Sequence, residues 1–277
     1  MSSTALASRR RPQRSASRPA GSGAASLGVS VLWLSLLVVL PLAAVVGRAF
    51  DDGWTGFHRA VTRHQAVAAL QLTLGVSLVV ALVSAITGTL VAWVLVRDDF
   101  RGRRILDALV DLPFAIPTVV VSLLLLGLVG ARSPVGIHLA GTRSAILVAL
   151  LLVTLPFVVR SVQPVLSALD RETEEAALSL GASPWQTFQR VVLPALGPSI
   201  ISGAALAFAR AVGEFGSLVL VSGNIPLRTQ VASVYIFTQI ESDNPRGASA
   251  VAVVLLALSV GVLVLLRIVE RRTARRG

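Results

Sequence analysis

No lysine and no cysteine occur among the 277 residues, and tyrosine and methionine occur once each. Without cysteine there is no disulfide framework, no thiolate metal site and no cysteine nucleophile. Without lysine there is no Walker A loop, because GxxxxGK[ST] needs its lysine to reach nucleotide phosphates. Charge is scarce as well: 14% of residues are ionic against 54% hydrophobic, with a mean hydropathy of +0.78. No water-facing globular surface tolerates that balance. The 25 basic residues are all arginine and outnumber 14 acids, for a net charge of +11. A nucleic-acid binder concentrates such charge on a soluble domain, whereas here it lies between long apolar runs, which argues against a nucleic-acid partner. His58, His64 and His138 fall in short polar segments, and no third-ligand pattern accompanies them as a metal site requires.

What the sequence does have is recurring uncharged stretches near the roughly 20 residues that cross a hydrocarbon core as a helix. They predict an all-α polytopic membrane protein of about six spans. Clear spans run from Leu27 to Gly47, from about Gln65 to Val96, from Leu112 to Ala131 and from Gly247 to Leu266. A shorter one covers Ser144 to Val159 and closes at Arg160, and a fifth, about Ile200 to Val221, contains Arg210 and Glu214. Helices follow because lipid offers the backbone no other partners. The expected organisation is a basic, disordered tail over 1–26, a transmembrane domain over 27–266 and a second basic tail over 267–277. A cleaved signal peptide is the competing reading of the first span, but its apolar run exceeds the usual 7 to 15 residues of such a segment.

The arginines give an orientation. With six spans, both tails, the segment after the second span (Arg97, Arg101, Arg103, Arg104) and the one after the fourth (Arg160, Arg171, Arg190) lie on one side, which carries 17 arginines against 7 on the other. The rule that positive charge stays inside then puts both termini in the cytoplasm. The leader's arginines also suit anionic lipid headgroups, making membrane lipid an expected partner.

The most informative stretch is Asp170 to Pro194, expected within a cytoplasmic loop over 160–198. Asp170 is placed to cap a short helix whose opening turns hold Glu172, Glu174 and Glu175, and Gly181 supplies a left-handed stop. Ser183 caps a second helix with Pro184 in its first turn. Trp185, Phe188, Val191 and Val192 then share one face until Pro194 ends it. One helix is packed and the other is offered.

Glu175, Ala176 and Ala177, then three residues, Gly181, nine residues, then Val191-Val192-Leu193-Pro194 resemble the EAA signature of ABC-importer permeases, with valine for its isoleucine. The resemblance covers nearly the whole chain from about Leu27 and is nearest to sulfate/thiosulfate permeases of the CysT type. The segments Leu106–Leu109 through Thr118 and Pro156–Leu166 favour sulfate, whereas Phe208 to Gly216 is similar to molybdate permeases too. The resemblance implies an ABC type I importer (MetI-like) fold in a bacterial inner membrane. It implies ATPase-coupling residues at Glu174, Glu175, Ala176, Ala177, Gly181, Ala182, Trp185, Leu193 and Pro194. The implied partners are ATP-binding cassette ATPase subunits, a second sulfate permease subunit or a second copy of this chain, and an extracytoplasmic sulfate-binding protein. No cofactor is expected on this chain; ATP and Mg belong to the ATPase subunit, and the chain itself is expected to be no enzyme. Docking of the binding protein is expected around His58, Ser133 to Gly141 and Gly223 to Asn244.

Ionisable groups inside a span cost roughly 2.5 to 3.5 kcal/mol even on a lenient insertion scale, so Arg210 and Glu214 are candidates for a translocation path or gate. Four apart on one helix face, they can equally neutralise each other and only fix helix register. Gly213, Phe215 and Gly216 beside them complete the candidate set, the glycines allowing close helix approach or bending. Pro113, Pro117 and Pro156 are expected kinks. An intramembrane enzyme lacks HExxH, GxSxG and any histidine within a span. A molybdate or tungstate importer stays open as an alternative. An ion-coupled secondary anion transporter would carry an internal repeat, and none is visible.

Overall fold

The computed structural model describes residues 21–134 and 136–274, with side chains over 26–134 and 136–268. The chain divides into two compact units, Met1–Ala44 and Val45–Gly277. The first contains α1 (Gly21–Leu34), a π-turn at Ser35–Val39 and the start of α2 (Leu40–Ala49); together Ser26–Ala49 form a 24-residue apolar helix long enough to cross a membrane. Residues 1–20 of the expected basic tail lie outside the described residues, and the helix begins at Gly21.

The second unit runs α3 (Gly53–Val61), α4 (His64–Arg97), α5 (Arg103–Ala115), α6 (Thr118–Val129) and α7 (Arg143–Ala168), then α8 (Arg171–Ser179) and α9 (Pro184–Thr187). A π-turn at Phe188–Val192 leads into α10 (Leu193–Val212), followed by α11 (Ala232–Glu241) and α12 (Pro245–Ala274). No strand occurs among the described residues. Among the described residues, five helices are long and apolar enough to span a membrane, six if the bent pair α5–α6 is one span.

Helices α4, α7 and α10 pack together at the centre of this unit. Gly88 of α4 and Gly203 of α10 both close on Val158 of α7, where an added Cβ would lie 2.7 Å from the Val158 Cβ and 2.8 Å from its Cα respectively. Lipid is as apolar as the side chains, so such close backbone approach, not hydrophobic expulsion, holds membrane helices together. Buried hydroxyls fold back onto the helices: Thr154 donates to the Leu150 carbonyl at 2.8 Å and sits 3.5 Å from Ser84. Three apolar clusters follow, one around Ile146 and Leu150, one around Val159 and Leu166, and one around Phe208 and Tyr235.

Three expectations are corrected. The third span is not one helix over Leu112–Ala131 but two, α5 and α6, bent by 114°. Ile116 is extended (φ −92°, ψ 129°), the conformation that a following proline enforces, so Pro117 breaks the helix while Pro113 is accommodated inside α5. The helix of the fourth span does not end at Arg160; α7 continues through Pro164 to Ala168, and Arg160 within it is neutralised by Asp107 and Asp111. Pro194 does not end its helix, for Pro184–Val212 is one 29-residue helical run. The π-turn just before it widens the ladder where the proline ring would otherwise meet the preceding turn.

Candidate functional site

The hairpin between α7 and α10 is built as its residues dictate. The Asp170 carboxylate accepts the Glu172 N–H at 3.0 Å and starts α8. Gly181 stands at φ +87°, the left-handed conformation expected of a helix stop. Ser183 Oγ accepts from the Gln186 N–H at 3.3 Å while Gln186 Oε1 accepts from the Ser183 N–H at 2.8 Å, a reciprocal capping box that opens α9. No residue of α8 is buried. Glu175, Ala176 and Gly181 are exposed, Ala177 and Ala182 half-buried, and Leu193 and Pro194 exposed further along. On the second helix Val192 is buried and Phe188 half-buried, whereas Trp185 stands exposed and stacks on Phe188 at 5.6 Å.

Two features of this end were missed in the sequence. Leu180, at the tip of the hairpin, is 90% exposed, an apolar side chain that the described residues leave uncovered. Arg97, at the end of α4, forms an ion pair with Glu174 of α8, and its guanidinium lies over the Trp93 ring, 5.7 Å from the centroid. Trp93 meets Phe188 edge-on at 5.7 Å, so one arginine and one aromatic chain join both hairpin helices to α4. Opposite charge at the two positions was visible, but a pairing 77 residues apart leaves no local pattern. Nearby, Arg160 of α7 reaches Asp111 through Nε at 2.7 Å and Asp107 through Nη1 at 2.7 Å, and Gln163 adds a bond to Asp107 at 3.3 Å. The two segments singled out in the sequence, around Asp107 and around Arg160, therefore touch.

Arg210 and Glu214 are paired, as their spacing suggested, but at the end of α10 and not within a continuous helix. Glu214 lies just past the cap residue Gly213 and is 1% exposed. Its Oε1 accepts the Ser217 N–H at 2.8 Å and its carbonyl accepts the Ser233 hydroxyl at 2.7 Å, so it organises the non-helical segment 214–230. Such backbone persists at membrane depth only where protein satisfies it. Ser122 of α6 does part of this, accepting the N–H groups of Leu220 and Val221 at 3.2 Å each. Gly216 packs against the start of α6, where a Cβ would lie 2.9 Å from the Val119 nitrogen. Phe215 rests on Phe237 of α11 with centroids 5.1 Å apart. The breaks in the third and fifth spans thus face each other. Arg210, 35% exposed, is the charged group of this region that reaches the surface.

At the opposite end, the Gly141 N–H bonds the Val221 carbonyl at 2.9 Å and Arg143 Nε the Arg228 carbonyl at 3.1 Å, which joins two of the three segments expected to dock a binding protein. His58 sits apart from them on α3. His138 Nδ1 contacts the Gly130 carbonyl at 2.9 Å, and no cluster of three metal-ligating residues occurs among the described residues.

Residues 82–275 match the model of the family described as binding-protein-dependent transport system inner membrane component. The chain is 44% identical over 242 residues to a probable sulfate transport system permease protein from Nephroselmis olivacea, covering 85% of each. It is 42% identical over 258 residues to the sulfate transport system permease protein CysT of Escherichia coli K12, covering 91% of this chain and 93% of that one. In fold it resembles a chain of a bacterial ABC transporter involved in import of the acidic polysaccharide alginate, with a TM-score of 0.75 at 19% identity over 90% of this chain.

Proposed function

Because the chain belongs to the family of binding-protein-dependent transport system inner membrane components, we propose that it is the permease subunit of a sulfate importer driven by ATPase subunits on separate chains. The observation that carries the reading is the hairpin α8–α9: a capped helix with no buried residue, bearing Glu175, Ala176 and Ala177 and stopped at Gly181, tipped by an exposed leucine and tied by Glu174 to the end of a spanning helix. A helix offered in this way suits a cleft on another protein, and its anchorage to α4 suits transmission of movement into the membrane. ATP and Mg are held by the partner ATPase, since this chain has no lysine for a phosphate loop. The arginine bias puts the hairpin and both termini in the cytoplasm. The segments around Ser133–Gly141 and Gly223–Asn244, with α3, then face a sulfate-binding protein on the far side. Sulfate as the cargo is supported by the names of relatives alike over most of their length. A second permease chain, related or identical, completes the pore, and Arg210 with Gly213 lines its gate.

The test is ATP-dependent sulfate uptake into proteoliposomes holding this chain with its partner permease, ATPase and binding protein, with thiosulfate and molybdate run alongside. Gly181→Asp abolishes uptake while the membrane subunits still assemble; uptake insensitive to it, or independent of the ATPase, overturns the coupling reading. Uptake of molybdate in preference to sulfate overturns the cargo. Arg210→Ala stops uptake with assembly intact, and normal transport by that variant removes Arg210 from the path.

A further inference from the structure

The side of the chain depleted in arginine carries seven, and three of them, Arg59, Arg63 and Arg246, gather around one cavity. It lies between α3 and the start of α12, has a volume of about 190 Å³ and is rimmed also by Thr55, Asn244 and Asp52. At ~30 Å³ per water it has room for roughly six waters, or a small polyatomic ion with part of its shell. Like charges brought together raise each other's energy unless something opposes them. Among the described residues only Arg246 is opposed by carboxylates: it bonds Asp52 at 2.7 Å and lies 3.9 Å from Asp51. Arg63 lies beside the Tyr235 hydroxyl, whose acidity burial weakens and Arg63 partly restores. Arg59 has no hydrogen bond or ion pair among the described residues, and both Arg59 and Arg63 are exposed. The start of α12, a 30-residue helix, borders the same cavity through Arg246 and Gly247 and adds the positive end of its dipole.

The depth of the cavity is marked by the aromatic face of α3. Phe50 stacks on Phe57 at 4.5 Å and Trp54 on Phe57 at 5.5 Å, with Trp54 67% exposed. Exposed aromatic stacks at the end of spanning helices settle at the membrane interface. A guanidinium fork at that level matches the paired oxygens of a tetrahedral anion.

We propose that the cavity between α3 and α12 binds a tetrahedral oxyanion group, held by Arg59 and Arg63 with Arg246 set in place by Asp52. The same chemistry is offered by free sulfate and by the phosphate of an anionic lipid. The sulfate source rests on the import reading above; the lipid source does not.

The experiment uses the full chain assembled with its partner permease and ATPase in nanodiscs, without nucleotide or binding protein. The discs are made of phosphatidylcholine alone or with phosphatidylglycerol. Binding of radiolabelled sulfate is measured in the first and retention of phosphatidylglycerol by native mass spectrometry in the second. Charge-assisted hydrogen bonds to an anion contribute ~1.5–3 kcal/mol each, so Arg59→Gln with Arg63→Gln weakens the bound species by at least about tenfold. Arg59→Lys with Arg63→Lys, which keeps the charge but loses the fork, retains only part of it, and Asp52→Asn, which removes an opposing charge, strengthens it. That reversed sign separates an anion site from a merely structural role. Loss of sulfate binding in the neutral lipid identifies the free ion; loss of retained phosphatidylglycerol without a sulfate signal identifies the headgroup. If neither probe responds to the double substitution or to Asp52→Asn, in assemblies of unchanged thermal stability, the proposal is overturned. Because no ATP is present, that failure leaves the uptake reading standing, and failure of uptake leaves this site standing.

Discussion

Two consecutive helices, α7 and α8, are built on opposite principles. Among the residues buried in α7 are Ile146, Leu150, Val158, Val159 and Leu166, none more than 2% exposed, and its Val158 receives one glycine from α4 and one from α10. Helix α8 has no buried residue and depends on an aspartate cap, a glycine stop and a single ion pair to α4. Nine residues in isolation are too few for a stable helix in water, so caps and tertiary ties must supply what packing does not. The contrast teaches where rigidity and availability are assigned: the bundle resists deformation, and the hairpin keeps its apolar tip for something else.

Substitution in the packed region is expected to break folding itself. Gly203→Leu has the largest effect, since even a Cβ there would lie 2.8 Å from the Val158 Cα and 3.0 Å from the Ser161 Cβ. Backbone cannot yield as a side chain can, so α10 must part from α7 at a cost of about 3 kcal/mol or more. The detergent-solubilised chain should lose most of its folded yield, read by fluorescence-detected size exclusion. Preserved yield and melting temperature would show the three-helix contact to be looser than its geometry. Next comes Arg160→Ala, which leaves Asp107 and Asp111, each about half exposed, without their cation and releases α5, whose sole buried residue is Val110. The pair is partly solvated, which discounts it, and a loss of about 2 kcal/mol is expected, with protease cleavage appearing first near 98–102.

How much of this was legible follows from the kind of interaction involved. The hairpin was readable because caps, stops and first-turn acids act within a few residues: Asp170, Gly181 and Ser183 do what their types and positions imply. Spans were readable from hydropathy, but their ends were not. Arg160 gave no sign that its helix runs on because its neutralising carboxylates lie about 50 residues away, and Pro194 looked like a terminator because a π-turn cannot be read from composition. The bend at Ile116–Pro117 was signalled by the proline, though not its 114°, which depends on what α5 meets. At the second candidate site, the Arg210–Glu214 spacing was legible, whereas the bonds of Glu214 to Ser217 and Ser233 became visible only once α11 was in place. That second role sharpens the site: replacing Glu214 should harm folding more than replacing Arg210.

The tie between the two regions is the place to test whether they are separable. Arg97→Gln removes the ion pair to Glu174 and the cation over Trp93 but leaves the α4–α7–α10 packing untouched. Both partners are largely buried, with side-chain exposures of 10% and 20%, so about 2 kcal/mol of local stability is expected to go. Hydrogen exchange should rise in α8 alone. In the assembled transporter the same variant should hydrolyse ATP while transporting less. Exchange that rises equally through α7 would show that the hairpin is part of the bundle's cooperative unit, and the comparison would fail.

The smallest effect on the chain itself is expected at Leu180. At 90% exposure its side chain contributes nothing to the fold, and Leu180→Ser should leave the melting temperature unchanged, with stability moving by less than about 0.5 kcal/mol. An exposed leucine at the tip of a capped hairpin is nevertheless, by fraction, the most exposed large apolar side chain among the described residues. Covering it with a partner is worth ~1.5–3 kcal/mol, roughly tenfold or more in affinity. Titrating the ATPase subunit against nanodiscs holding the permease pair should therefore give a dissociation constant raised at least about tenfold by Leu180→Ser. An unchanged constant would mean that the tip stays in water, and that the hairpin engages its partner through the flank bearing Glu175 and Ala176 instead.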